Sequence, residues 1–214
     1  MVNQKAVSTQ ETRIGVSEEE SMIILITGAS HTGKTLLAQR LLEKYKVPYM
    51  SIDHLKMGLI RSGMTGLTPM DDEALTEYLW PVIREIMKTA IENRQNLIIE
   101  GCYIPFGWRK DFDVRYLPSI RFVCLAMSEQ YIEDHFGEII EHESEIESRL
   151  IAADCTIDSL KTDNTSIIEG FQHVGEPVVL IDSNYEQTIE NLIDGHIRLD
   201  EKTDKSRFVR ETVC

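Results

Sequence analysis

Apolar residues along this chain form two kinds of pattern that alternate. Short unbroken runs, rich in β-branched residues, lie at 23–26, 47–53, 96–101, 119–126 and 176–182, and each predicts a β-strand. Between these runs, apolar positions recur every three or four residues, which predicts amphipathic helices. Strands that alternate with helices indicate an α/β protein with a parallel sheet.

Start signals set the expected bounds of the helices. One helix begins at about residue 33, and a short one begins near residue 54. Thr68 and Pro69 are typical of an N-cap and a first helical position, so the next helix is expected from there to about residue 93. Pro81 lies inside this helix and should kink or split it. Ser128 predicts the cap of a charged helix from about 129 to 153, and a last helix follows Tyr185.

The first strand leads into a loop that is bounded by glycines. The sequence there reads Gly28-Ala-Ser-His-Thr-Gly33-Lys34-Thr35, the G-x-x-x-x-G-K-T pattern of a phosphate-binding P-loop or Walker A motif. A strand before the loop and a helix after it are the context that this motif requires. Glycine lets backbone N–H groups turn inward around phosphate oxygens. The predicted nucleotide-binding residues are Gly28, Ala29, Ser30, His31, Thr32, Gly33, Lys34 and Thr35.

Three side chains would then act on the phosphates. Lys34 would reach the β- and γ-phosphates, and the hydroxyl of Thr35 would bind Mg²⁺. Glu100 ends the third strand, where a carboxylate can hold an Mg²⁺-bound water or position the acceptor. The alternative for Glu100 is a solvated residue at the polar end of a strand. The sequence therefore predicts ATP and Mg²⁺ as ligands, with Lys34 and Glu100 among the catalytic residues.

Asp53 ends the second predicted strand. In an open parallel sheet, ligands lie outside the carboxyl ends of the strands, so Asp53 would face the phosphates. Its carboxylate could accept the proton of an attacking hydroxyl or orient that hydroxyl, which makes it a catalytic and acceptor-binding candidate. Alternatively, Asp53 is only the N-cap of the helix that follows. These two interpretations remain open at this point.

Three arginines are candidates for contacts with the substrates. Basic side chains of the segment 54–63 would face the acceptor, and Arg61 could pair there with a carboxylate or phosphate. Arg109 lies in the aperiodic segment 103–117, which would bind the acceptor or merely connect two elements. Arg149 falls where a lid over about 129–160 would cross the triphosphate. Each of the three could instead be a solvated side chain.

Composition limits the partners and the compartment. A net charge of −14 and a sequence pI near 4.8 argue against nucleic acid as a partner, because phosphate backbones select basic faces. The four cysteines have no C-x-x-C spacing, which favours reduced thiols in the cytoplasm. No apolar run approaches the roughly 18 residues of a membrane span, and no secretory signal is recognisable. We therefore expect a cytoplasmic protein with no membrane partner.

With these residues in view, the sequence resembles the P-loop small-molecule kinases that group with adenylate kinase, shikimate kinase and chloramphenicol phosphotransferase. The motif from Gly28 to Thr35 carries the resemblance, supported by Ile-Asp53 and by Ile-Ile-Glu100-Gly101. The resemblance implies a three-layer α/β sandwich with a five-stranded parallel sheet in the order 2-3-1-4-5 and a helical lid. It also implies that Asp53 faces the acceptor hydroxyl. Adenylate kinases have Asp-Gly-Phe-Pro-Arg where Glu100-Gly101-Cys-Tyr-Ile stands here.

These observations predict an enzyme, a kinase that moves the γ-phosphoryl group of ATP to a hydroxyl of a small metabolite. The kinase domain is expected at 21–199, between a polar arm at 1–20 and a tail at 200–214. One alternative is a nucleoside monophosphate kinase. Another is a nucleotide-binding switch or scaffold without an acceptor, whose acidic helix from 129 to 153 would bind a partner. We expect a monomer or a homodimer.

Overall fold

A single parallel sheet of five strands forms the centre of the molecule. The computed structural model describes residues 21–141 and 155–195. The strand order is β2-β3-β1-β4-β5, and every pairing is parallel, which confirms the predicted α/β P-loop architecture. The strands are β1 (Ile23–Gly28), β2 (Tyr49–Ser51), β3 (Leu97–Glu100), β4 (Ile120–Met127) and β5 (Val179–Ile181).

Helices cover both faces of this sheet. They are α1 (Lys34–Tyr45), α2 (Ile52–Arg61), α3 (Asp72–Glu92), α4 (Glu129–Glu141), α5 (Ile157–His173) and α6 (Tyr185–Gly195). Alternate residues of β1 supply the two cores. Ile23 and Leu25 pack in the cluster that includes residues of α3, whereas Ile24 and Ile26 pack in the cluster that includes residues of α1 and α6. The unbroken apolar run of β1 follows from this burial on both sides.

The register of the sheet brings the ends of the central strands together. Ile26 of β1 is aligned with Glu100 of β3, and Glu100 is in turn aligned with Ser51 of β2. On the other side of β1, Gly28 is aligned with Leu125 of β4. The carboxyl ends of β1, β2 and β3 therefore meet at one edge of the sheet.

The second strand is shorter than the sequence predicts. Pairing ends at Ser51, and α2 begins at the next residue, Ile52, whose side chain is fully buried. Asp53 consequently lies in the first turn of α2 rather than at the end of β2. The N-cap of α2 is Ser51, so the interpretation of Asp53 as the N-cap is wrong.

The long helix α3 also differs from the expected bounds. It begins at Asp72 with Asp71 as its N-cap, so the predicted start at Thr68 and Pro69 is wrong. The reason is local: the backbone N–H and the hydroxyl of Thr68 both donate to the carboxylate of Asp71, which closes a turn before the helix. The helix continues through Pro81, which is exposed, so the proline does not split it in two.

Other expectations are met in part or lie outside the described residues. The hydroxyl of Ser128 accepts from the N–H of Tyr131, which confirms the predicted cap of α4. The helix is described as far as residue 141, and the remainder to 153 lies outside the described residues. Strand β5 is shorter than the predicted run 176–182. The proposed arm at 1–20 and tail at 200–214 also fall outside the described residues.

Candidate active site

The loop between β1 and α1 has the geometry that its glycines predict. Gly28 has a φ of 143°, and a Cβ at this position would overlap the carbonyl oxygen of Leu125. Gly33 has a φ of 76° and is the N-cap of α1. His31 also lies in the left-handed region, with a φ of 64°. These conformations turn the backbone back on itself, as a phosphate-binding loop requires.

Lys34 is held inside this loop. Its ammonium group donates to the carbonyl oxygen of Ala29 at 2.6 Å, and the hydroxyl of Thr32 donates to the same oxygen at 2.8 Å. The residue is only 9% exposed, so its charge is concentrated within the loop. Phosphate oxygens that enter the loop could replace the carbonyl of Ala29 as the partner of Lys34. Thr35 follows as the second residue of α1 and is partly buried.

Tyr185 packs against the P-loop at Gly33. It is the first residue of α6, and its hydroxyl lies where a Cβ on Gly33 would have to be. Glycine at 33 is therefore required by this contact as well as by its positive φ. The segment after β5 thus meets the start of α1, where a nucleotide would extend from the phosphates.

Glu100 lies at the end of the sheet next to the loop. It is the last residue of β3 and is only 2% exposed, so it is not the solvated strand-end residue of the alternative interpretation. The N–H of Gly101 donates to the carbonyl oxygen of Ile26 at 3.1 Å, which fixes the chain just after the glutamate. A Cβ at Gly101 would lie 2.8 Å from the Cβ of Ile52, so glycine lets β3 approach the start of α2 closely.

Asp53 is part of a chain of contacts on the α2 side of the site. The ammonium group of Lys56 pairs with the carboxylate of Asp53 and also donates to the hydroxyl of Tyr103 at 2.8 Å. That hydroxyl donates in turn to the carboxylate of Asp72 at 3.1 Å. Burial, followed by the charges of Asp53 and Asp72, raises the pKa of Tyr103 far above its ordinary value, so the phenol remains protonated. We call these four residues the acceptor-side network.

A second carboxylate reaches the loop from α5, and sequence reasoning missed it. The carboxylate of Asp163 accepts the N–H of Ser30 at 2.6 Å. Its neighbour Asn164 is buried and accepts the N–H of Met127 at 2.7 Å, which fastens α5 to the end of β4. Ser30 and Asp163 are 133 positions apart in the sequence, which explains why no local pattern could reveal this contact. No helix is predicted from the sequence for residues 157–173, so α5 itself is unexpected.

Cys102 links the two sides of the site. Cys102 reaches solvent, yet the dense protein around the sulfur raises the pKa of the thiol, and the charge of Lys34 opposes that rise. The register of β1, β2 and β3 and the contact of Asp163 with Ser30 put Lys34, Asp53 and Asp163 at the same end of the sheet.

The candidate arginines have different positions. Arg109 pairs through two nitrogens with the buried carboxylate of Glu176, and its guanidinium lies 4.5 Å from the centre of the Trp108 ring. Arg61 is exposed at the C-terminal end of α2, and the basic residue of this helix that reaches Asp53 is Lys56. Arg149 lies outside the described residues.

An open groove of about 770 Å³ runs along the exposed side of α5. It is lined by residues of that helix and by side chains from neighbouring elements, among them Phe106, Glu129, Lys161, Glu169 and His173. None of the predicted site residues that the structure describes is part of this lining. The chemistry is therefore assigned to the cluster at the strand ends.

Solved structures that are similar to this chain include kinases. A gluconokinase from Sinorhizobium meliloti 1021 aligns with a TM-score of 0.51 and 18% identity, over 84% of this chain and 94% of that one. This chain shares its fold. A sugar kinase from Janibacter sp. HTCC2649 aligns at a TM-score of 0.49 and 19% identity, over 81% of this chain and 93% of that one. A shikimate kinase from Bacteroides thetaiotaomicron aligns at a TM-score of 0.47 and 15% identity, covering 81% and 96% of the two chains.

Sequence comparison adds no closer relative. No protein-family model matches the chain, and no curated protein matches it. The structural likeness, at this level of identity, supports the architecture of the domain. The chemistry has to be argued from the side chains of the site.

Two further properties concern the described residues. None of their helices is both long enough and apolar enough to cross a membrane. Of the cysteines that the structure describes, Cys102 and Cys124 are free thiols.

Proposed function

We propose that the protein is an ATP-dependent kinase that transfers the γ-phosphoryl group to a hydroxyl of a small metabolite. One observation carries this proposal: a P-loop with a buried lysine lies at the same end of the sheet as Asp53 and the buried Glu100. Phosphoryl transfer depends mainly on positioning and on neutralising charge, and this cluster provides groups for both. The fold shared with a gluconokinase is compatible with the proposal.

The residues fit a nucleotide with Mg²⁺. The buried ammonium group of Lys34 lies within the loop, and the N–H groups at the start of α1 favour an anion. The hydroxyl of Thr35 and the carboxylate of Glu100 are oxygen ligands of the kind that Mg²⁺ prefers. When bound, the ion neutralises charge that develops on the β- and γ-phosphates. We assign nucleotide binding to residues 28–35.

Asp53 is proposed as the base. One oxygen of its carboxylate is held by Lys56, and the group can accept the proton of an acceptor hydroxyl. The hydroxyl oxygen then bonds to the γ-phosphorus while the bond from that phosphorus to the ADP oxygen breaks. The products are a phosphate ester, ADP and the proton on Asp53. Lys34 moves from the carbonyl of Ala29 to the phosphate oxygens and stabilises the charge on them.

The proposal includes a cytoplasmic location, which the free thiols support. The net charge of −14 supports the absence of a nucleic-acid partner. The oligomeric state is proposed to be a monomer or a homodimer. A switch or scaffold remains the competing idea, and it differs in having no acceptor.

The Lys34→Ala variant tests nucleotide binding. It removes the charge that faces the β- and γ-phosphates while the backbone of the loop remains. We expect the affinity for Mg·ATP, measured by calorimetry, to fall by about tenfold or more, because a hydrogen bond to a charged group contributes about 1.5–3 kcal/mol. Unchanged affinity would contradict the assignment of the P-loop.

Acceptor dependence separates the kinase from the switch. Small alcohols, sugars, nucleosides and phosphorylated acids are screened for faster ADP release by the wild-type protein, with Lys34→Ala as the inactive control. A kinase gives acceptor-dependent ADP and a phosphorylated product by mass spectrometry. A switch gives slow ADP release that no acceptor accelerates.

A further inference from the structure

We propose that the acceptor of this kinase carries no carboxylate or phosphate group and is instead a neutral or amino-bearing hydroxylated molecule. This inference rests on the proposed function, because it concerns the place where an acceptor would meet Asp53. It identifies the charge class of the acceptor, which neither the P-loop nor the fold determines.

The only basic side chain in the acceptor-side network is already occupied. Lys56 pairs with Asp53 and donates to the hydroxyl of Tyr103, and its side chain is only 11% exposed. The Tyr103 hydroxyl, in turn, donates to Asp72. The positive charge of Lys56 is thus committed to two groups of the protein, and one of them is negatively charged. An incoming anion would have to compete with Asp53 for it.

The charges beside Asp53 do not balance. The network contains one cation, Lys56, and two carboxylates, Asp53 and Asp72. Asp163 adds a third carboxylate at the same end of the sheet, where it contacts Ser30 of the P-loop. Lys34 offsets one of these charges, but bound nucleotide phosphates would claim it. One unbalanced negative charge at about 7 Å should weaken the binding of an anion about tenfold at a partly screened site.

The arginines that could have bound an acidic acceptor have other roles. Arg109 is held by the buried carboxylate of Glu176 and stacks on Trp108. Arg61 is exposed at the C-terminal end of α2, five residues beyond Lys56 and therefore on a different side of the helix. Within residues 21–141 and 155–195, neither predicted anion-binding arginine joins the network.

An acceptor panel tests the inference directly. Each carbon skeleton is supplied as an alcohol, an amine and an acid, for example glucose, glucosamine and gluconate, and ADP release is measured with each. We expect acceleration by neutral or amino members, with the acid of the same skeleton at least about tenfold lower in kcat/KM. Acceleration confined to carboxylates or phosphates would overturn the inference while leaving the kinase function intact.

The exposed thiol of Cys102 gives a second test that needs no acceptor. Methanethiosulfonate reagents of opposite charge, one trimethylammonium and one sulfonate, are reacted with the folded protein, and Cys102→Ser identifies the signal of this site. The ratio of the two reaction rates at Cys102 is divided by the same ratio for a small thiol in solution. The result gives the sign of the electrostatic potential at Cys102. We expect the cationic reagent to be favoured about tenfold. An equal ratio, or a preference for the anionic reagent, would overturn the inference.

The Asp72→Asn variant tests whether the acceptor-side network sets the electrostatic potential at Cys102. Removing this charge should lower the preference for the cationic reagent about threefold, and it should raise the relative kcat/KM of acidic acceptors by a similar factor. Glu77→Gln is the matched control, because Glu77 is an exposed acid further along α3. Equal effects of the two variants would show that the network does not set the potential.

The two proposals fail in different ways. If Mg·ATP does not bind, or if no acceptor of any charge accelerates ADP release, the kinase function fails. The reaction rates of Cys102 then still determine the sign of the electrostatic potential near Asp53. If acidic acceptors are the substrates, the kinase function stands and the inference about charge fails.

Discussion

Gly28 is the residue on which the shape of the loop depends most directly. Its φ of 143° is unfavourable for any residue that has a Cβ, and the carbonyl oxygen of Leu125 lies where that Cβ would be. The N–H of Ala29 donates to that same carbonyl at 3.1 Å, so Leu125 holds the start of the loop against β4. The glycine is thus a structural requirement of the phosphate site.

Gly28→Ala should therefore destabilise the protein. We expect a loss of about 3 kcal/mol in the free energy of unfolding, from overpacking and from an unfavourable backbone angle. Gly58→Ala is the matched control, since Gly58 lies within α2 and a Cβ there meets no atom within 4 Å. The control should gain up to about 1 kcal/mol. Chemical denaturation of both variants checks the difference, and similar values for the two would refute it.

The Asp53→Asn variant tests whether Asp53 is the base. The amide keeps the size of the side chain but loses the charge and the proton acceptor. A general base contributes about 10²- to 10⁴-fold, so turnover should fall by that factor with ATP affinity nearly unchanged. Kinetics and calorimetry on the same variant check this, with the melting temperature as a control for folding. Full activity would remove Asp53 from the mechanism.

The residues that sequence could predict are those defined by a local motif. The loop from Gly28 to Thr35 and the carboxylate at Glu100 follow from spacing along a strand, and the structure places them together. Asp163 was missed, because its contact with Ser30 depends on how α5 packs. Tyr103 lies in a segment without periodicity, so its link to Lys56 and Asp72 had no signal in the sequence.

At the scale of elements, α5 has a direct connection to the nucleotide site. Asn164 anchors this helix to the end of β4, and the preceding Asp163 then occupies an N–H group of the P-loop. A carboxylate at that position resembles a phosphate oxygen in charge and in hydrogen bonding. Nucleotide binding is therefore expected to compete with the contact between α5 and the loop.

Asp163→Asn should relieve this competition. The amide accepts a weaker hydrogen bond and does not repel phosphate, so we expect the affinity for Mg·ATP to rise about tenfold. Asp158→Asn, an exposed change in the first turn of the same helix, is the control and should have little effect. Calorimetry on the three proteins measures the difference. Weaker binding by Asp163→Asn would show that this carboxylate supports the nucleotide instead.

The elements themselves could largely be predicted, and their ends could not. The five apolar runs all contain strands, yet β2 and β5 are each three residues long, because pairing stops where a neighbour ends. The start of α3 depends on a turn closed by Thr68 and Asp71, and the hydrogen bonds of Thr68 lower the pKa of Asp71. Periodicity does not report such side-chain contacts.

At the scale of the whole molecule, the charge of −14 acts on every anionic ligand. ATP approaches a protein of the same sign, so its encounter is slowed at long range, although Lys34 attracts it once it arrives. The field is screened within about 10 Å at 0.1 M salt. Salt should consequently speed the approach of the nucleotide.

We expect the association rate of Mg·ATP to rise about threefold between roughly 10 mM and 150 mM salt. Adenosine is the control, because a neutral ligand should associate at a rate that salt leaves nearly constant. Stopped-flow fluorescence with labelled nucleotide measures both rates. A fall in the rate of ATP association with salt would show that the local cations dominate the encounter.

The α/β class followed from the alternation of patterns, whereas the strand order came from the resemblance to known kinases. Strand geometry puts Ile24 and Ile26 on one face of β1 and Ile23 and Leu25 on the other, but an unbroken apolar run does not show which layer each face meets. It does not show that β1 lies between β3 and β4. That arrangement depends on contacts between distant segments, and no local pattern encodes them.

The central position of β1 has a consequence for the order in which the chain is made. Its partners, Leu97–Glu100 and Ile120–Met127, are synthesised long after Ile23–Gly28 has left the ribosome. At about 5–20 residues per second, the apolar strand waits several seconds with both edges open. Leu125 must emerge before it can hold Gly28 and Ala29 in place. A nascent chain thus carries the complete G-x-x-x-x-G-K-T motif before the contacts that shape its loop can form, and β1 remains an unpaired apolar segment during that interval.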